Sequence, residues 1–289
     1  MVALPGCSLR KMAVNRLGDA LAGGTSTYAE DDDPELIGDA VPFALKTVDS
    51  LLKEAPRHRG LLLAGASGYA QYAYGWLQQE ADFVEDADLA RATHLRGRAK
   101  RLYLRAREYG LRGLEVELPG FRVQLRRDAA GALARARRGQ VPLLYWTGMS
   151  WFGAMALALD DSELTADQNL AEAMMRRALE LDEGYLDGSI HDFFIAWEAR
   201  GESVGGSFER AQEHFERAVA LSHNRRAWPY VARAESIAVG QQDRAIFEDA
   251  LHKALAVDPD AAPEYRLNNV IVQRRARWLL EHEDDLFVE

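Results

Sequence analysis

The chain has 289 residues, of which 48% are hydrophobic, and this length and composition predict a sizeable buried core and exclude a disordered or fibrous protein. Its 45 Asp and Glu exceed its 35 Lys and Arg, and the net charge of -10 argues against a protein that binds duplex nucleic acid, which needs a clustered basic face. After residue 7, no apolar stretch reaches the roughly 18 uncharged residues of a spanning helix, so we expect no membrane span.

The single cysteine, Cys7, excludes an internal disulfide and stands in a sequence with the order of a bacterial lipobox. Leu4 lies three positions before it and the small residue Gly6 lies directly before it, although Pro5 is unusual in this motif. The cationic and long apolar regions of a signal peptide are missing before the cysteine. The motif predicts lipidation of Cys7, with a chance cysteine near a frayed end as the alternative. Ser8 after the cysteine then favours the outer membrane.

Residues 20–33 are rich in Gly, Thr, Ser and acidic residues, which predicts a tether or a loose arm. Order is predicted to begin at Asp33, which can cap a helix whose first position is Pro34 and whose first turn contains Glu35. We therefore expect two regions. Residues 1–32 hold the truncated end of a signal peptide, the lipobox and a flexible arm, and residues 33–289 form a single helical repeat domain.

Apolar residues recur at helical spacing through most of this domain. Two such stripes are Leu95, Ala99, Leu102, Ala106 and Tyr109, and Tyr145, Met149, Phe152, Ala156 and Leu159. Alternating runs of strand length are scarce, and the best candidate, residues 114–123, is interrupted by Pro119 and Gly120. We interpret it as a connecting loop, so the patterns predict an all-α fold.

Several segments match the second helix of a tetratricopeptide repeat, in which small residues let two helices approach and a bulky residue fills the groove between them. The matches are Ala44, Val48 and Leu51; Ala99, Tyr103 and Ala106; Ala171, Met175 and Ala178; Ala211, Phe215 and Ala218; and Phe247, Leu251 and Ala254. Pro56 and Pro259 follow two of them where a proline would stop the helix. The sequence predicts stacked, degenerate tetratricopeptide-type helical hairpin repeats, with a C-terminal capping helix from Pro263 to about Glu281.

Four short motifs together with the lipobox resemble a known family. They are Asp31-Asp32-Asp33-Pro34-Glu35-Leu36, Gln71-Tyr72-Ala73-Tyr74, Pro142-Leu143-Leu144-Tyr145-Trp146 and Asp187-Gly188-Ser189-Ile190-His191-Asp192-Phe193-Phe194. The chain resembles the tetratricopeptide lipoprotein associated with TRAP transporters, the T-component, from the lipobox to Trp278. The resemblance implies a periplasmic lipoprotein built of cryptic repeats around a central passage. It further implies a homotrimer whose protomers engage the transporter's periplasmic solute-binding protein.

Aromatic residues cluster on three predicted helices, and stacked repeats turn such faces toward a common concave side. Core packing is the alternative for each of them. His191 lies next to an apolar face, and the alternative to ligand contact is that it has a purely structural role. Asn268 and Asn269 offer side-chain amides either to a ligand or to a neighbouring turn. The residues predicted to line a ligand-binding cavity are Tyr69, Tyr72, Trp76, Tyr145, Trp146, His191, Phe194, Trp197 and Asn268.

One predicted helix carries seven cations and no acidic residue between them: Arg91, Arg96, Arg98, Lys100, Arg101, Arg105 and Arg107. A solvated outer face is one interpretation of this pattern. Contact with an acidic partner or with anionic head groups is the other.

Sequence motifs of metalloproteases, phosphate-binding loops and serine hydrolases are absent, and the seven histidines show no zinc spacing. We therefore expect no catalytic residue, no cofactor and no metal. The expected function is that of an accessory lipoprotein of a TRAP-type transport system, anchored to the outer membrane, which binds the solute-binding protein and holds a small, partly apolar solute in an aromatic-lined cavity. The alternative is a tetratricopeptide scaffold for envelope assembly that binds peptide segments in its groove.

Overall fold

A computed structural model describes residues 25–288, so the predicted lipidation site Cys7 lies outside the described residues. Within that range every regular element is helical, which confirms the all-α prediction. None of these helices is long and apolar enough to span a bilayer. The described chain divides into a first unit, Glu35–Leu181, and a second unit formed by Thr27–Pro34 with residues 182–288.

The helices before residue 182 follow one another through short turns. They are α1 (Thr25–Ala29), α2 (Pro34–Glu54), α3 (Arg59–Tyr72), α4 (Gln79–Val84), α5 (Leu89–Glu117), α6 (Phe121–Arg127), α7 (Ala129–Ala134), α8 (Val141–Ala156), α9 (Ser162–Thr165) and α10 (Gln168–Leu181). A π-helical turn, Ala73–Gln78, joins α3 to α4 without a break. Helix α2 begins at Pro34, as its capping signals predict, but α1 forms a helix at Thr25–Ala29, within the residues 20–33 that were predicted to be a tether or a loose arm.

The helices after residue 182 are shorter than α2 and α5. They are α11 (Ser189–Glu198), α12 (Phe208–Ser222), α13 (Trp228–Ala232), α14 (Val239–Gln241), α15 (Arg244–Ala256) and α16 (Arg266–Glu281). A second π-helical turn, Arg233–Ala238, joins α13 to α14. The final helix, α16, coincides with the predicted capping helix and packs against α15.

The core of the first unit forms where the long helix α5 packs against α3 and α8. Glycines allow these helices to approach closely, because a side chain at Gly110 would overlap Thr147 of α8 and one at Gly148 would overlap Met175 of α10. Asp88 caps α5 through a hydrogen bond of 2.9 Å from the Arg91 backbone N–H. At Gly110 and Gly148 the helices approach through glycine, without the bulky side chains that usually separate two packed helices.

The residues that match the tetratricopeptide pattern lie mostly inside the protein. All members of four matching sets are buried, while in the set on α2 only Val48 is fully buried. The pattern therefore identified the inward faces of α5, α10, α12 and α15. The stacking of these helices as tetratricopeptide-type repeats, and the organisation of residues 33–289 as one domain, stay predictions.

The prediction of a connecting loop over residues 114–123 is wrong for most of that segment. Helix α5 continues to Glu117, α6 begins at Phe121, and only Leu118–Gly120 reverses the chain. Gly120 adopts a left-handed backbone with φ of +80°, and the Glu115 carboxylate accepts its N–H at 2.7 Å. Burial of Leu114 and Phe121 holds both helix ends in place, so the Pro-Gly pair needs only a tight turn.

Candidate functional site

The predicted aromatic residues on α3 and the following π-helical turn separate into two groups. Tyr72 and Trp76 stack with ring centroids 5.7 Å apart, both are half-buried, and Trp76 packs against Gly38 of α2. Tyr69 instead is buried and stacks against Tyr109 of α5, at 6.0 Å. The π-helical turn places Trp76 within a wider coil than an α-helix, directly after the end of α3 at Tyr72.

The predicted pair on α8 forms a separate contact. Tyr145 and Trp146 meet edge to face at 5.0 Å, with Tyr145 buried and Trp146 half-buried. This geometry is favourable for aromatic rings and is common in protein cores. The five predicted residues of the first unit thus form two aromatic pairs and one tyrosine bound elsewhere.

Tyr69 belongs to a polar cluster centred on Asp49 of α2. The Tyr109 hydroxyl donates to Asp49 Oδ1 at 2.6 Å, and the Tyr69 hydroxyl donates to Oδ2 at 2.9 Å. Lys46 Nζ donates to the same Oδ2 at 2.5 Å. Arg105 Nη1 donates to the Tyr69 hydroxyl at 3.2 Å and lies 3.5 Å from Asp49 Oδ2. One carboxylate therefore organises groups from α2, α3 and α5.

These contacts change the acidity of the groups that form them. Partial burial disfavours the charged form of Asp49, but the hydrogen bonds from Lys46, Tyr109 and Tyr69 outweigh burial and lower its pKa. Burial raises the pKa of Tyr69 to about 12, and the bond to Asp49 adds to this rise while Arg105 opposes it. Burial and then the bond to Asp49 likewise raise the pKa of Tyr109. Both hydroxyls consequently remain protonated donors at neutral pH.

A cleft of about 340 Å³ opens beside this cluster in the first unit. Its lining residues are Lys46, Asp49, Ser50, Leu52, Lys53, Arg105, Tyr109 and Arg112. None of the nine cavity residues predicted from the sequence lines it, although Tyr69 binds Asp49. The lining residues recur at intervals of three or four along α2, up to Lys53, and along α5, up to Arg112. This helical spacing is the sequence signal that could have identified the two walls of the cleft.

In the second unit, the motif Asp187–Phe194 begins with an unusual turn. Leu186, Asp187 and Gly188 have consecutive left-handed backbones with φ of +46°, +48° and +91°. Such a conformation is costly for a leucine and persists only where surrounding contacts hold it. Arg225 provides one of them, since its Nη2 donates to Asp187 Oδ2 at 2.8 Å. The turn thereby sets the start of α11, which carries three of the predicted residues.

Directly after this turn, Asp192 and Arg226 form a buried ion pair. The second guanidinium nitrogen of Arg226 donates to the Asp187 carbonyl at 3.2 Å. Asp192 Oδ1 is buried and accepts no hydrogen bond within the described residues. Burial raises the pKa of Asp192, and Arg226 opposes this rise without cancelling it. Sequence reasoning missed this pair, because no spacing rule connects α11 to the segment before α13.

His191 lies one residue before Asp192 and forms part of an imidazole pair. Its Nδ1 lies 2.8 Å from Nδ1 of His214 on α12, while its buried Nε2 makes no hydrogen bond within the described residues and lies 3.6 Å from Glu183 Oε2. Burial lowers the pKa of His191, against the opposing influence of Glu183. Arg217 binds Glu183 and reduces that influence. We therefore expect a neutral His191 at neutral pH.

The remaining predicted residues of the second unit have unequal exposure. Phe194 is fully buried and stacks on His214 at 5.0 Å. Trp197 is buried and stacks on Phe193 at 5.7 Å. Asn268 is exposed, whereas its neighbour Asn269 is buried and binds the backbone of Arg225 and Ala227, each at 2.9 Å. His191, Phe194 and Trp197 therefore share one helix, while Asn268 lies on the surface of α16.

The cations of the basic helix, α5, mostly bind acidic or aromatic side chains of the first unit. The contacts are Arg91 with Glu80, Arg96 with Asp82 and Glu85, Lys100 with Asp161, Arg105 with Asp49, and Arg107 with the Trp151 ring. Arg98 and Arg101 are exposed and form no ion pair within the described residues. Internal pairing thus accounts for most of this charge.

The side chains of the described residues offer hydrogen-bonding and stacking groups for recognition. No group of three or more His, Cys, Asp or Glu in residues 25–288 has the geometry to hold a metal ion. The Asp49 cleft in the first unit combines cations, hydroxyls and an apolar wall, which is the combination that fixes small ligands in many proteins. In the second unit, the polar groups around α11 form a buried network that includes Asp192, Arg226 and His191.

Comparison with known proteins gives a family match over nearly the whole chain. The family model described as TRAP transporter T-component matches residues 30–287. An uncharacterized protein of Treponema pallidum (strain Nichols) is 31% identical over 303 residues, and the alignment covers 98% of this chain and 94% of that relative. The range matched by the family model includes the positions of the Asp49 cluster and of the motif at the start of α11.

Proposed function

Because the chain belongs to the TRAP transporter T-component family, we propose that it is an accessory protein of a TRAP-type solute transport system that binds the periplasmic solute-binding protein. The observation that carries this proposal is the family match over residues 30–287, which includes both structural units. A transporter accessory role also fits the expectation, made from the sequence, that the chain is not an enzyme.

We further propose that the protein works at the outer membrane, facing the periplasm, with a lipid on Cys7 as its anchor. In this arrangement the helices would form stacked tetratricopeptide-type repeats, and three protomers would assemble. The supporting observation for the anchor is the lipobox order from Leu4 to Cys7. Mass spectrometry of protein extracted from native membranes tests it: a diacylglycerol on Cys7 is expected, and an unmodified Cys7 contradicts the proposal.

The partner is tested by purification from the native envelope with the tagged full chain as bait. We expect a TRAP solute-binding protein among the proteins identified by mass spectrometry, and light scattering of the purified chain should give the mass of a trimer. Recovery of envelope-assembly factors without any solute-binding protein would instead support the alternative of a tetratricopeptide scaffold that holds peptide segments.

A small, partly apolar solute held by aromatic residues is the second part of the proposal. Two indole rings are proposed for such a ligand: Trp76, which is half-buried and stacks on Tyr72, and Trp197, which is buried and stacks on Phe193. Trp76→Ala and Trp197→Ala should each weaken binding of a co-purified solute, whereas Trp278→Ala on α16 should not. Equal affinity in all three folded variants would refute the aromatic site.

A further inference from the structure

The cleft beside Asp49 has a charge opposite to that of the whole protein. Four of its lining residues are cations, Lys46, Lys53, Arg105 and Arg112, and one is a carboxylate, Asp49. The chain as a whole carries a net charge of -10. A cluster of one charge sign inside a cleft attracts ligands of the other sign more strongly than the same charges spread over a surface.

Two of these cations are already engaged and two are available. Lys46 binds Asp49, and Arg105 lies between Asp49 and the Tyr69 hydroxyl. Lys53 is exposed and Arg112 is half-buried, and neither forms an ion pair within the described residues. Arg112 donates Nη2 to the Pro56 carbonyl at 3.0 Å, which leaves most of its five N–H donors for a ligand.

The wall of the cleft holds these cations against an apolar surface. Leu52 is 3% exposed and belongs to the hydrophobic cluster of α2 and α3, against which Tyr109 packs. The Arg112 guanidinium lies over the Tyr109 ring, 5.4 Å from its centroid. Stacking on an aromatic ring restricts a guanidinium, so less conformational entropy is lost when it binds a planar or tetrahedral oxyanion.

We propose that this cleft binds a small molecule bearing a carboxylate or phosphate group, with Arg112 and Lys53 as its direct contacts. The Asp49 cluster acts behind them: it neutralises Lys46 and Arg105 in part and keeps the cleft open by tying α2 to α5. A volume of about 340 Å³ suits a small ligand rather than a folded segment. The site lies within the first unit and is independent of the proposed solute-binding protein partner.

Calorimetric titration of the full chain tests the site, with inorganic phosphate and malonate as probes at fixed low ionic strength set by sodium chloride. Saturable binding of at least one probe is expected, and added salt should weaken it. The double variant Lys53→Gln with Arg112→Gln should lower the affinity at least tenfold, since it removes the available cations and leaves the donors to Asp49 intact. Preference for phosphate or malonate identifies the geometry of the oxyanion.

Arg98→Gln provides the matched control, because Arg98 lies on the same helix, is exposed and does not line the cleft. It should leave the affinity unchanged. The proposal fails if neither probe binds saturably, if the double variant binds as well as the parent, or if Arg98→Gln loses as much affinity. Should the double variant not fold, the exposed Lys53→Gln alone must weaken binding. Capture of a solute-binding protein has no bearing on these outcomes.

Discussion

Each unit of the protein holds a carboxylate away from solvent, in part for Asp49 and almost completely for Asp192. Asp49 of the first unit keeps access to a cleft and accepts hydrogen bonds from Tyr109, Tyr69 and Lys46. Asp192 of the second unit is buried with a single guanidinium partner, Arg226, and one of its oxygens accepts no hydrogen bond within the described residues. The pKa of Asp49 is lowered and that of Asp192 is raised. Nearly complete burial with one ionic partner raises the pKa of Asp192, whereas at the partly buried Asp49 three hydrogen-bond donors outweigh the effect of burial.

The largest expected effect comes from removing the partner of the more deeply buried carboxylate. Arg226→Met should lower the free energy of unfolding by about 3–5 kcal/mol, because it leaves Asp192 buried without a counter-charge. The double variant Arg226→Met with Asp192→Leu should recover most of this loss. Urea denaturation at neutral pH measures both variants.

Arg277→Met on the exposed face of α16 is the control for this pair. Its free energy of unfolding should change by no more than about 0.5 kcal/mol. If Arg226→Met were as stable as Arg277→Met, the buried pair would have no part in holding the second unit together.

A smaller loss is expected from the carboxylate of the first unit. Asp49→Asn replaces one acceptor by a donor that faces a tyrosine hydroxyl or an ammonium, and should cost about 1–3 kcal/mol in urea denaturation. Asp39→Asn, an exposed position on the same helix, should change stability little. Equal stability of the two variants would contradict the organising role of Asp49.

The two carboxylates also respond to acid with opposite signs. The lowered pKa of Asp49 contributes stability that is present above its usual value of 3.8 and is lost as pH falls through the folded value. The raised pKa of Asp192 acts the other way, because the folded state binds its proton more tightly than the unfolded state does. The free energy of unfolding of Asp49→Asn should therefore approach that of the parent as pH falls below 4, and this comparison isolates the contribution of Asp49.

The smallest expected effect concerns His191. Its lowered pKa means that the unfolded state binds a proton more readily, so stability should decline as pH falls through 6.5 toward the folded value. In His191→Gln this decline should be shallower between pH 7 and 5. His94→Gln, at an exposed position of α5, should keep the slope of the parent. An identical slope in both variants would show that His191 titrates as it does in the unfolded chain.

Sequence periodicity predicted the helical class and the inward faces of α5, α10, α12 and α15. The start at Pro34, the burial of Ala171, Met175 and Ala178, and the final helix all follow from local capping chemistry and from spacing. The motif at residues 187–194 was recognised as distinctive, but its left-handed turn was not predicted, since a leucine rarely adopts that backbone.

The sequence by itself determined the helical class, the start of α2, the final helix and the family to which the chain is similar, because these depend on residues close together along the chain. Only the tertiary structure decided that Asp49 meets Tyr69 and Tyr109, which are 20 and 60 residues away, and that Asp192 meets Arg226, 34 residues away. Helical spacing shows which face of a helix turns inward. It does not show which helix that face meets, because that choice depends on packing between elements distant in sequence.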